Sequence, residues 1–415
     1  MLNKNNEREL AYLVKVDNIT PMDADRLECA HIGGWHCVVG KGEFKVGDPA
    51  VYFEVDSLLP DEEPFSEMSF LRSKNFKIKT QKIRGEYSQG LLMPVSTFGW
   101  TIEKVYSART GEESTVVDNA KDEEFYCLDD ESRFLTKKLN VTYNEPADNI
   151  RKSSGMDKYK KMAARHPEIF KKKWARWLMK REWGRKLLFV FFGKKRDKKG
   201  AWPSWIKKTD EERIENCEWL LKQDQEWIMT EKIDGTSTTF ALRGKDFYVC
   251  SRNVVFDRPD KGCFYDTNVY TEMAQKYNME DKLKKMLAHK QLQQKKCVGV
   301  IVQAETYGAG IQRRTYNMKD HDMAIFNIIW VFKDGHQERL NPLKGKDCAA
   351  VYDLPYVPVL GQFKLPDNCD DMIALAASEK SKIDGGMREG LVCRSLDGVQ
   401  SFKAVSREYL VKYHG

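Results

Sequence analysis

The tetrapeptide Lys-Ile-Asp-Gly occurs twice in the sequence, once starting at Lys232 and once at Lys382. A lysine amine becomes a competent nucleophile when neighbouring cations or burial lower its pKa toward neutrality. A nearby carboxylate can help to bind the divalent metal that phosphoryl or nucleotidyl transfer requires. Each copy is therefore a candidate for a lysine that carries AMP or GMP on its side-chain nitrogen.

The residues around each copy distinguish the two candidates. Lys382 follows a helical pattern, "DMIALAASEKS", and Gly385 is placed to end that helix. Lysine in a last helical turn also interacts favourably with the helix dipole, so a structural role explains this copy. Lys232 instead follows the apolar strand "EWIM", and "GTSTTFAL" begins the next strand. A lysine at such a strand end can project into a cleft between sheets, which favours Lys232.

Nucleotidyl transfer also needs cations for the phosphates, a carboxylate-bound metal and an aromatic platform for the base. Short motifs downstream of Lys232 offer each of these. With "EKIDG" (231–235) they form an ordered set of six: "SRN" (251–253), "AETYG" (304–308), "AIFNI" (324–328), "REGLV" (388–392) and "SFKAVS" (401–406).

This ordered set resembles the covalent nucleotidyltransferases, which comprise ATP-dependent ligases and mRNA capping enzymes. The resemblance covers residues 201–415, and "KTDEER" (208–213) ahead of the first strand narrows it. This motif and the barrel-like N-terminal region together make the chain similar to ATP-dependent RNA ligases that place an OB-fold domain before the catalytic domain.

The resemblance implies a role for each motif. Lys232 would attack the α-phosphate of ATP, and Glu231 would lie in the nucleotide site. Arg252 and Lys403 would contact phosphate as catalytic and nucleotide-binding residues. The remaining roles fall to four residues. Glu305 would bind the ribose hydroxyls, Phe326 would stack on adenine, and Glu389 with Asp234 would hold Mg²⁺ or Mn²⁺, which prefer oxygen ligands. Taken alone, Phe326 in "MAIFNIIW" also fits a core position.

One position departs from the family pattern. The last motif often reads Lys-x-Lys, whereas this chain has Lys403 followed two residues later by Val405. Strand alternation keeps both side chains on one face, so the second cation is missing there. Ser406, Arg407 and Lys412 are candidates to replace it.

The N-terminal region reads as short strands separated by turns, which indicates a small barrel or sandwich. In "NFKIKTQK" alternation places Phe76, Ile78 and Thr80 on one face and Lys77 and Lys79 on the other. A basic outer face suits an OB-fold that binds nucleic acid, although a lysine-rich exposed strand is an equally simple explanation.

Residues 151–200 carry 19 lysines and arginines against four acidic residues, a net charge of +15 in a chain of net charge +7. Such a segment points to a polyanion, with RNA the expected partner. Its predicted helices carry the candidate RNA contacts Lys171, Lys172, Lys173 and Arg176. Two other interpretations stay open: a linker that docks through its tryptophans, or a membrane contact through "LLFVFF" (187–192).

These patterns predict an α+β protein in three parts: an OB-like barrel domain at 1–150, a basic helical linker at 151–200, and a nucleotidyltransferase domain of mixed sheets and helices at 201–415. Residues 101–150 are expected to be rich in loops. A helix capped by Thr209 or Asp210 is expected to begin the C-terminal domain. Further helices are expected at 270–290 and 370–383.

Composition excludes some classes of protein. No run of 18 apolar residues is present, so no membrane span is expected. The ten cysteines form no CxxC pair, which indicates a reducing compartment, with the cytoplasm the expected location. The cluster Cys29, His31, His36 and Cys37 has no common zinc-site spacing. A monomer is expected.

The expected function is that of an ATP-dependent RNA ligase that joins 3′-OH and 5′-phosphate ends through a lysyl-AMP intermediate. Three alternatives stay open: a capping-type guanylyltransferase, a DNA ligase, and a non-catalytic OB-fold nucleic-acid-binding protein. A capping enzyme would carry GMP and normally places its OB domain after the catalytic domain.

Overall fold

The structure is a computed structural model, and it describes residues 1–4, 7–106, 113–143, 169, 172–179, 181–192, 202–208, 210–252, 254–256 and 268–414. Small antiparallel sheets form the N-terminal region, and two larger sheets flanked by helices form the C-terminal region. This arrangement confirms the predicted α+β class. Within the described ranges, no helix has the length and hydrophobicity that crossing a membrane requires.

Strands of the N-terminal region pair in several small sheets. The two that carry most of the core are β1-β5-β9 and β2-β3-β4. Their bounds are β1 Ala11–Lys15, β2 Asn18–Pro21, β3 Leu27–Ile32, β4 Trp35–Gly40, β5 Pro49–Phe53 and β9 Leu91–Pro94. Shorter strands complete the region: β6 Ser57–Leu58, β7 Gln81–Ile83, β8 Glu86–Ser88 and β13 Thr142–Tyr143, with the short helix α1 Ser69–Ser73 between them. The strand pairs of the described residues do not join into one closed sheet.

Two details of the N-terminal region differ from the sequence prediction. Residues 101–106 and 113–127 are not mainly loop, because they form a three-stranded sheet of β10 Thr101–Tyr106, β11 Glu113–Asn119 and β12 Glu124–Cys127. Many of their residues are polar and exposed, so the sequence lacks the alternation of apolar and polar residues that predicts a strand. Residues 76–80 show the predicted alternation of burial, but only one isolated bridge, between Leu58 and Lys77, pairs them with a neighbour.

The C-terminal region has a five-stranded sheet in the order β14-β24-β23-β15-β22. Its strands are β14 Glu212–Arg213, β15 Trp227–Lys232, β22 Val359–Phe363, β23 Gly390–Ser395 and β24 Ser401–Val405. The helix α7 (Cys369–Ser378) packs against it, and Met372, Ile373 and Ala376 lie in one core with Trp227 and Phe402. Each large apolar side chain buried there contributes about 1.5–3 kcal/mol.

The second large sheet has six strands in the order β18-β17-β16-β19-β20-β21. Its strands are β16 Thr236–Arg243, β17 Asp246–Cys250, β18 Val255–Phe256, β19 Cys297–Gly308, β20 His321–Phe332 and β21 Gln337–Arg339. The helices α4 (Val269–Lys276), α5 (Met279–Gln293) and α6 (Pro342–Val351) supply the other wall of its core. The predicted helices at 270–290 and 370–383 are therefore present, and α7 ends at Ser378.

The start of the C-terminal domain differs from the prediction. Residues 210–222 form β14 and two 3₁₀ turns, Ile214–Asn216 and Glu218–Lys222, instead of an α-helix. Tertiary contacts outweigh helix propensity here, since Arg213 pairs with Lys403 across β14 and β24. Asp210 is not a helix cap but the centre of an ion-pair network.

The basic segment is described only in part. It contains α2 (Lys173–Met179) and α3 (Glu182–Phe192), so the described part of the segment is largely helical, as predicted. Lys171 lies outside the described residues, and so does the side chain of Lys173. The indoles of Trp174, Trp177 and Trp183 are 49%, 51% and 55% exposed, so the tryptophans are not buried in a core.

Polar contacts join the N-terminal and C-terminal regions. Asn216 accepts hydrogen bonds from the Tyr12 hydroxyl (3.1 Å) and the Trp35 indole (2.6 Å). The side-chain amide of Gln89 donates to Glu215 (3.0 Å) and accepts from Arg407 (2.6 Å). The two regions therefore meet through specific, largely buried contacts close to the strands that carry the candidate site.

Candidate active site

Lys232 occupies the joint between the two large sheets. It is the last residue of β15 in the five-stranded sheet, and Thr236 begins β16 in the six-stranded sheet. The turn between them passes close to β19, because a Cβ atom on Gly235 would lie 2.3 Å from the Thr306 carbonyl oxygen. The structure thus has Lys232 at a strand end where the chain passes from one sheet to the other.

The Lys232 amine faces acidic side chains. Its Nζ lies 2.9 Å from Glu389, which directly precedes β23, the strand paired with β15. Burial alone would lower the pKa of Lys232, but Glu389 and Glu305 outweigh it and raise that pKa. The lowered pKa expected of a lysine nucleophile is therefore not present in this structure, because carboxylates rather than cations surround the amine. Burial raises the pKa of Glu305 to about 8, because the neighbouring carboxylates add to the desolvation penalty.

Asp234 is held by a cage of aromatic residues. Its backbone N–H donates to the Tyr316 hydroxyl (2.7 Å), and its carboxylate accepts from the Tyr409 hydroxyl (2.8 Å). The same carboxylate lies 3.2 Å from Nε2 of His414. Ligand atoms of Asp234, Glu389 and His414 all lie within 4.8 Å of one another. The two predicted metal ligands, Asp234 and Glu389, are therefore brought together in a donor set that fits a divalent cation.

A second group of charges lies along the entrance between the two regions, with Asp210 at its centre. Asp210 accepts from Lys403 and from Arg252, each at 2.9 Å, and Arg8 of the N-terminal region is 3.6 Å away. These cations hold the pKa of Asp210 well below its usual range although burial opposes them. The Tyr143 ring contacts Arg8 and Arg252 at 5.5 and 5.3 Å. The predicted phosphate contacts Lys403 and Arg252 are thus neighbours in one cationic wall.

Arg213 belongs to this wall and was not predicted. It is buried, and it lies beside Lys403 because β14 pairs in parallel with β24. Its Nη2 is 3.6 Å from Asp56, while its Nε and Nη1 are buried without a hydrogen-bond partner among the described residues. A buried guanidinium that is not fully satisfied is suited to an anionic ligand.

Val405 and its predicted substitutes point elsewhere. Val405 is buried, Ser406 caps the following turn through Tyr409, and Arg407 pairs with Asp370 at 2.7 Å. Lys412 is exposed beside the Tyr413 ring. Arg213, from a strand ahead of the first motif, is therefore the cation that lies closest to Lys403 in strand register.

The predicted nucleoside contacts lie on the facing sheet. Glu305 on β19 is half-buried and pairs with Ser237 on β16. Phe326 on β20 is also half-buried and packs beside Ile233 and Tyr316, so one part of its ring stays accessible. This position agrees with a platform at the cleft rather than a fully enclosed core residue.

Glu231 is the predicted site residue whose carboxylate is already engaged. It is buried, and it accepts hydrogen bonds from the Ser381 hydroxyl and from the Lys382 backbone N–H (2.7 Å). The Lys382 side chain is exposed, 3.3 Å from Glu379. The second tetrapeptide therefore contacts the first through its backbone and does not present its own lysine to the cleft.

The candidate RNA contacts lie in two places. Lys77 and Lys79 of the N-terminal region are half-buried, and Arg313 and Lys77 add to burial in lowering the pKa of Lys79. Arg313 follows β19, so a basic surface spans both regions. Lys172 and Arg176 are exposed near and on α2, where Arg181 stacks on Trp177 at 3.7 Å.

Several residues of the site were missed by sequence reasoning. Arg8 and Tyr143 come from segments far from every motif, His414 follows the last motif by eight residues, and no local pattern marks any of the three. Asp210 and Arg213 stand within "KTDEER" (208–213), which marked the family but suggested only a helix cap. Strand alternation placed Lys403 on the face opposite Phe402 and Ala404, and the structure has those two residues in the core and Lys403 half-buried.

Family models match two parts of the chain. Residues 225–414 match the RNA ligase family model, and residues 10–95 match an OB-fold domain model. No curated protein sequence matches the chain. The predicted similarity to RNA ligases with an N-terminal OB-fold domain is confirmed, and residues 225–414 form an RNA ligase domain.

The fold is similar to solved structures of an RNA ligase from Naegleria gruberi. The form with pyrophosphate has 25% identity and a TM-score of 0.69, with 98% of this chain and 99% of that chain covered. A mutant with ATP and manganese has 25% identity and a TM-score of 0.69, with 98% and 100% covered. The similarity thus spans both regions of the chain.

Proposed function

We propose that this protein seals RNA ends, with Lys232 as the residue that carries AMP. The chain is an ATP-dependent RNA ligase by its family match and its fold. The observation that carries the assignment of Lys232 is its place at the joint of the two sheets, with its amine 2.9 Å from Glu389.

The proposed reaction has three steps. The Lys232 amine attacks the α-phosphate of ATP, forming a P–N bond and releasing pyrophosphate. The 5′-phosphate of an RNA then attacks the lysine-bound AMP, freeing the amine and forming a pyrophosphate-linked end. Finally a 3′-OH attacks that end, forming the phosphodiester and expelling AMP.

Each charged group has a task in these steps. Lys403, Arg252 and Arg213 bind the phosphates, and Asp210 keeps the first two oriented toward the cleft. Asp234 and Glu389 would hold Mg²⁺ or Mn²⁺, which supplies positive charge beside the attacked phosphate. Glu305 receives the ribose hydroxyls, and Phe326 stacks on the adenine. Arg213 takes the place of the cation that Val405 lacks.

The RNA substrate is held by the basic surfaces outside the cleft. Lys77 and Lys79 lie beside Arg313, and Lys172 and Arg176 accompany exposed tryptophans on which unpaired bases can stack. Changing Lys171, Lys172 and Lys173 together to glutamine is expected to weaken RNA binding and flatten its salt dependence. If binding and its salt slope stay unchanged in this variant, the segment is not an RNA contact.

We further propose that the protein is a monomer and that it works in a reducing compartment.

Label transfer separates this function from its rivals. The AMP-free protein is incubated with α-³²P-ATP or α-³²P-GTP and a divalent metal, and the denatured protein is counted. We expect label from ATP, whereas label from GTP would indicate a capping-type enzyme. No label from either nucleotide would favour a non-catalytic binding protein.

A second experiment separates RNA ligation from DNA ligation. It uses nicked duplexes with a ribonucleotide or a deoxyribonucleotide at the 3′-OH, and we expect sealing to require the ribonucleotide.

A further inference from the structure

His414 has no role in the function described so far, yet it lies at the metal-binding carboxylates. Its Nε2 is 3.2 Å from Oδ2 of Asp234, and both residues lie with Glu389 inside a 4.8 Å cluster. Among the residues that the structure describes, this is the single group of three or more His, Cys, Asp or Glu side chains placed to hold a metal ion.

The spacing of these atoms agrees with shared coordination. An octahedral ion with ligand bonds of about 2.1 Å places neighbouring ligand atoms about 3.0 Å apart and opposite ones about 4.2 Å apart. The 3.2 Å between His414 and Asp234 fits two neighbouring positions on one ion. Glu389 belongs to the same 4.8 Å group, so a shift of about 0.6 Å or less would bring its carboxylate within the 4.2 Å that separates opposite ligands. The set would then hold one nitrogen and two carboxylate ligands, with other positions left for water or phosphate.

Packing fixes His414 in place. It ends the helical turn Leu410–His414, which continues the short helix α8 (Arg407–Tyr409), and Ser406 caps that helix. The rings of Tyr409 and Tyr413 lie 4.5 Å apart, and the Tyr409 hydroxyl bonds the same Asp234 carboxylate. The imidazole therefore sits in a built environment rather than on a free surface.

We propose that Nε2 of His414 is a direct ligand of the divalent metal bound by Asp234 and Glu389. This proposal rests on the metal site of the proposed function and adds a nitrogen to it. Imidazole suits transition metals better than Mg²⁺, which prefers oxygen ligands. The ligand set thus biases the site toward Mn²⁺ over Mg²⁺.

Pulsed electron paramagnetic resonance of Mn²⁺ tests the proposal without ATP or RNA. The AMP-free full-length protein is loaded with one equivalent of Mn²⁺, and the nitrogen modulation is compared between natural-abundance protein and protein labelled with ¹⁵N-histidine. We expect the coupling of a directly bound ¹⁴N, its replacement by ¹⁵N on labelling, and its loss in His414→Ala. His321→Ala is the matched control, because His321 contacts Glu272 away from the cluster.

Affinity supplies the second readout. His414→Ala is expected to weaken Mn²⁺ binding about tenfold or more and to change Mg²⁺ binding by less than about threefold. His414→Gln retains a polar side chain and serves if the alanine variant does not fold. Bound Mn²⁺ that is lost in Glu389→Ala but shows no directly bound nitrogen would overturn the proposal, as would failure of Mn²⁺ to bind at all. Label transfer is measured separately, so failure of the ligase function is distinguishable from failure of this ligand assignment.

Discussion

The two copies of Lys-Ile-Asp-Gly have the same four residues and opposite surroundings. The first bridges two sheets, and Lys232 faces Glu389 in a cleft. The second lies in a turn after α7, and the Lys382 side chain is exposed. A tetrapeptide therefore does not specify a nucleophile. The strand that delivers the lysine and the carboxylates that meet it decide the outcome.

Even the glycines of the two copies are needed for different reasons. Gly235 is required because its backbone passes close to the Thr306 carbonyl, and a Cβ atom there would be 2.3 Å away. Gly385 has a φ of +72°, and a Cβ atom there would meet no other atom within 4 Å, so conformation alone favours glycine at this position. Steric contact selects one glycine and backbone geometry the other.

The second copy also supports the first. Ser381 and the Lys382 backbone bind the carboxylate of Glu231, which precedes the nucleophile. Asp384 pairs with Arg314, whose guanidinium lies 4.2 Å from the Tyr316 ring that contacts Asp234. One copy does the chemistry, and the other holds its surroundings in place.

The largest expected difference between the copies is in adenylation. Lys232→Ala removes the nucleophile, so label transfer from ATP should fall by more than about 10⁴-fold. Lys382→Ala should transfer label at the wild-type rate within about twofold, because its side chain is exposed. Equal losses in both variants would show that the two copies are not distinguished by their surroundings.

The second-largest expected difference is between the glycines of the two copies. Gly235→Ala should shift the turn and displace Lys232, which costs about 10²-fold in adenylation rate. Gly385→Ala should retain the rate and lose about 1–2 kcal/mol of unfolding free energy through strain at positive φ. Single-turnover kinetics and urea unfolding of both variants measure the two effects. A normal rate for Gly235→Ala would contradict the close approach to Thr306.

The aspartate of the second copy should affect stability. Asp384→Ala leaves the buried Arg314 without its carboxylate and should lower the unfolding free energy by about 3 kcal/mol. Adenylation should survive at temperatures where the variant is folded. Asp384→Asn, which retains a hydrogen-bond acceptor, is the control and should lose less stability. Complete inactivity of folded Asp384→Ala would place Asp384 in the chemistry.

The smallest effect is expected at Ser381. Ser381→Ala removes one of the two donors to the buried Glu231 carboxylate, which should cost about 1–2 kcal/mol of stability. Lys382→Ala retains the backbone donor, and its unfolding free energy should change by no more than about 0.5 kcal/mol. Thermal unfolding of both variants makes the comparison, and an equal loss in both would mean that the Lys382 side chain supports the turn.

Sequence reasoning reached the residues that local patterns can mark. Lys232 was marked by a strand end, and Lys403 was named through the family resemblance of the last motif. Glu389 came from a short motif directly before a strand. Sequence reasoning could not identify Arg8, Tyr143 or His414, because each residue comes close to the site only when distant segments of the chain pack together. Asp210 was misread as a helix cap, since its ion pairs to Lys403 and Arg252 come from tertiary contacts.

The central claim is that Lys232, and not Lys382, carries AMP. The most direct test is to react the AMP-free protein with ATP and Mn²⁺, digest it, and locate the adenylated lysine by tandem mass spectrometry. We predict AMP on the Nζ of Lys232 and unmodified Lys382. AMP on Lys382, or on any lysine other than Lys232, would contradict this claim.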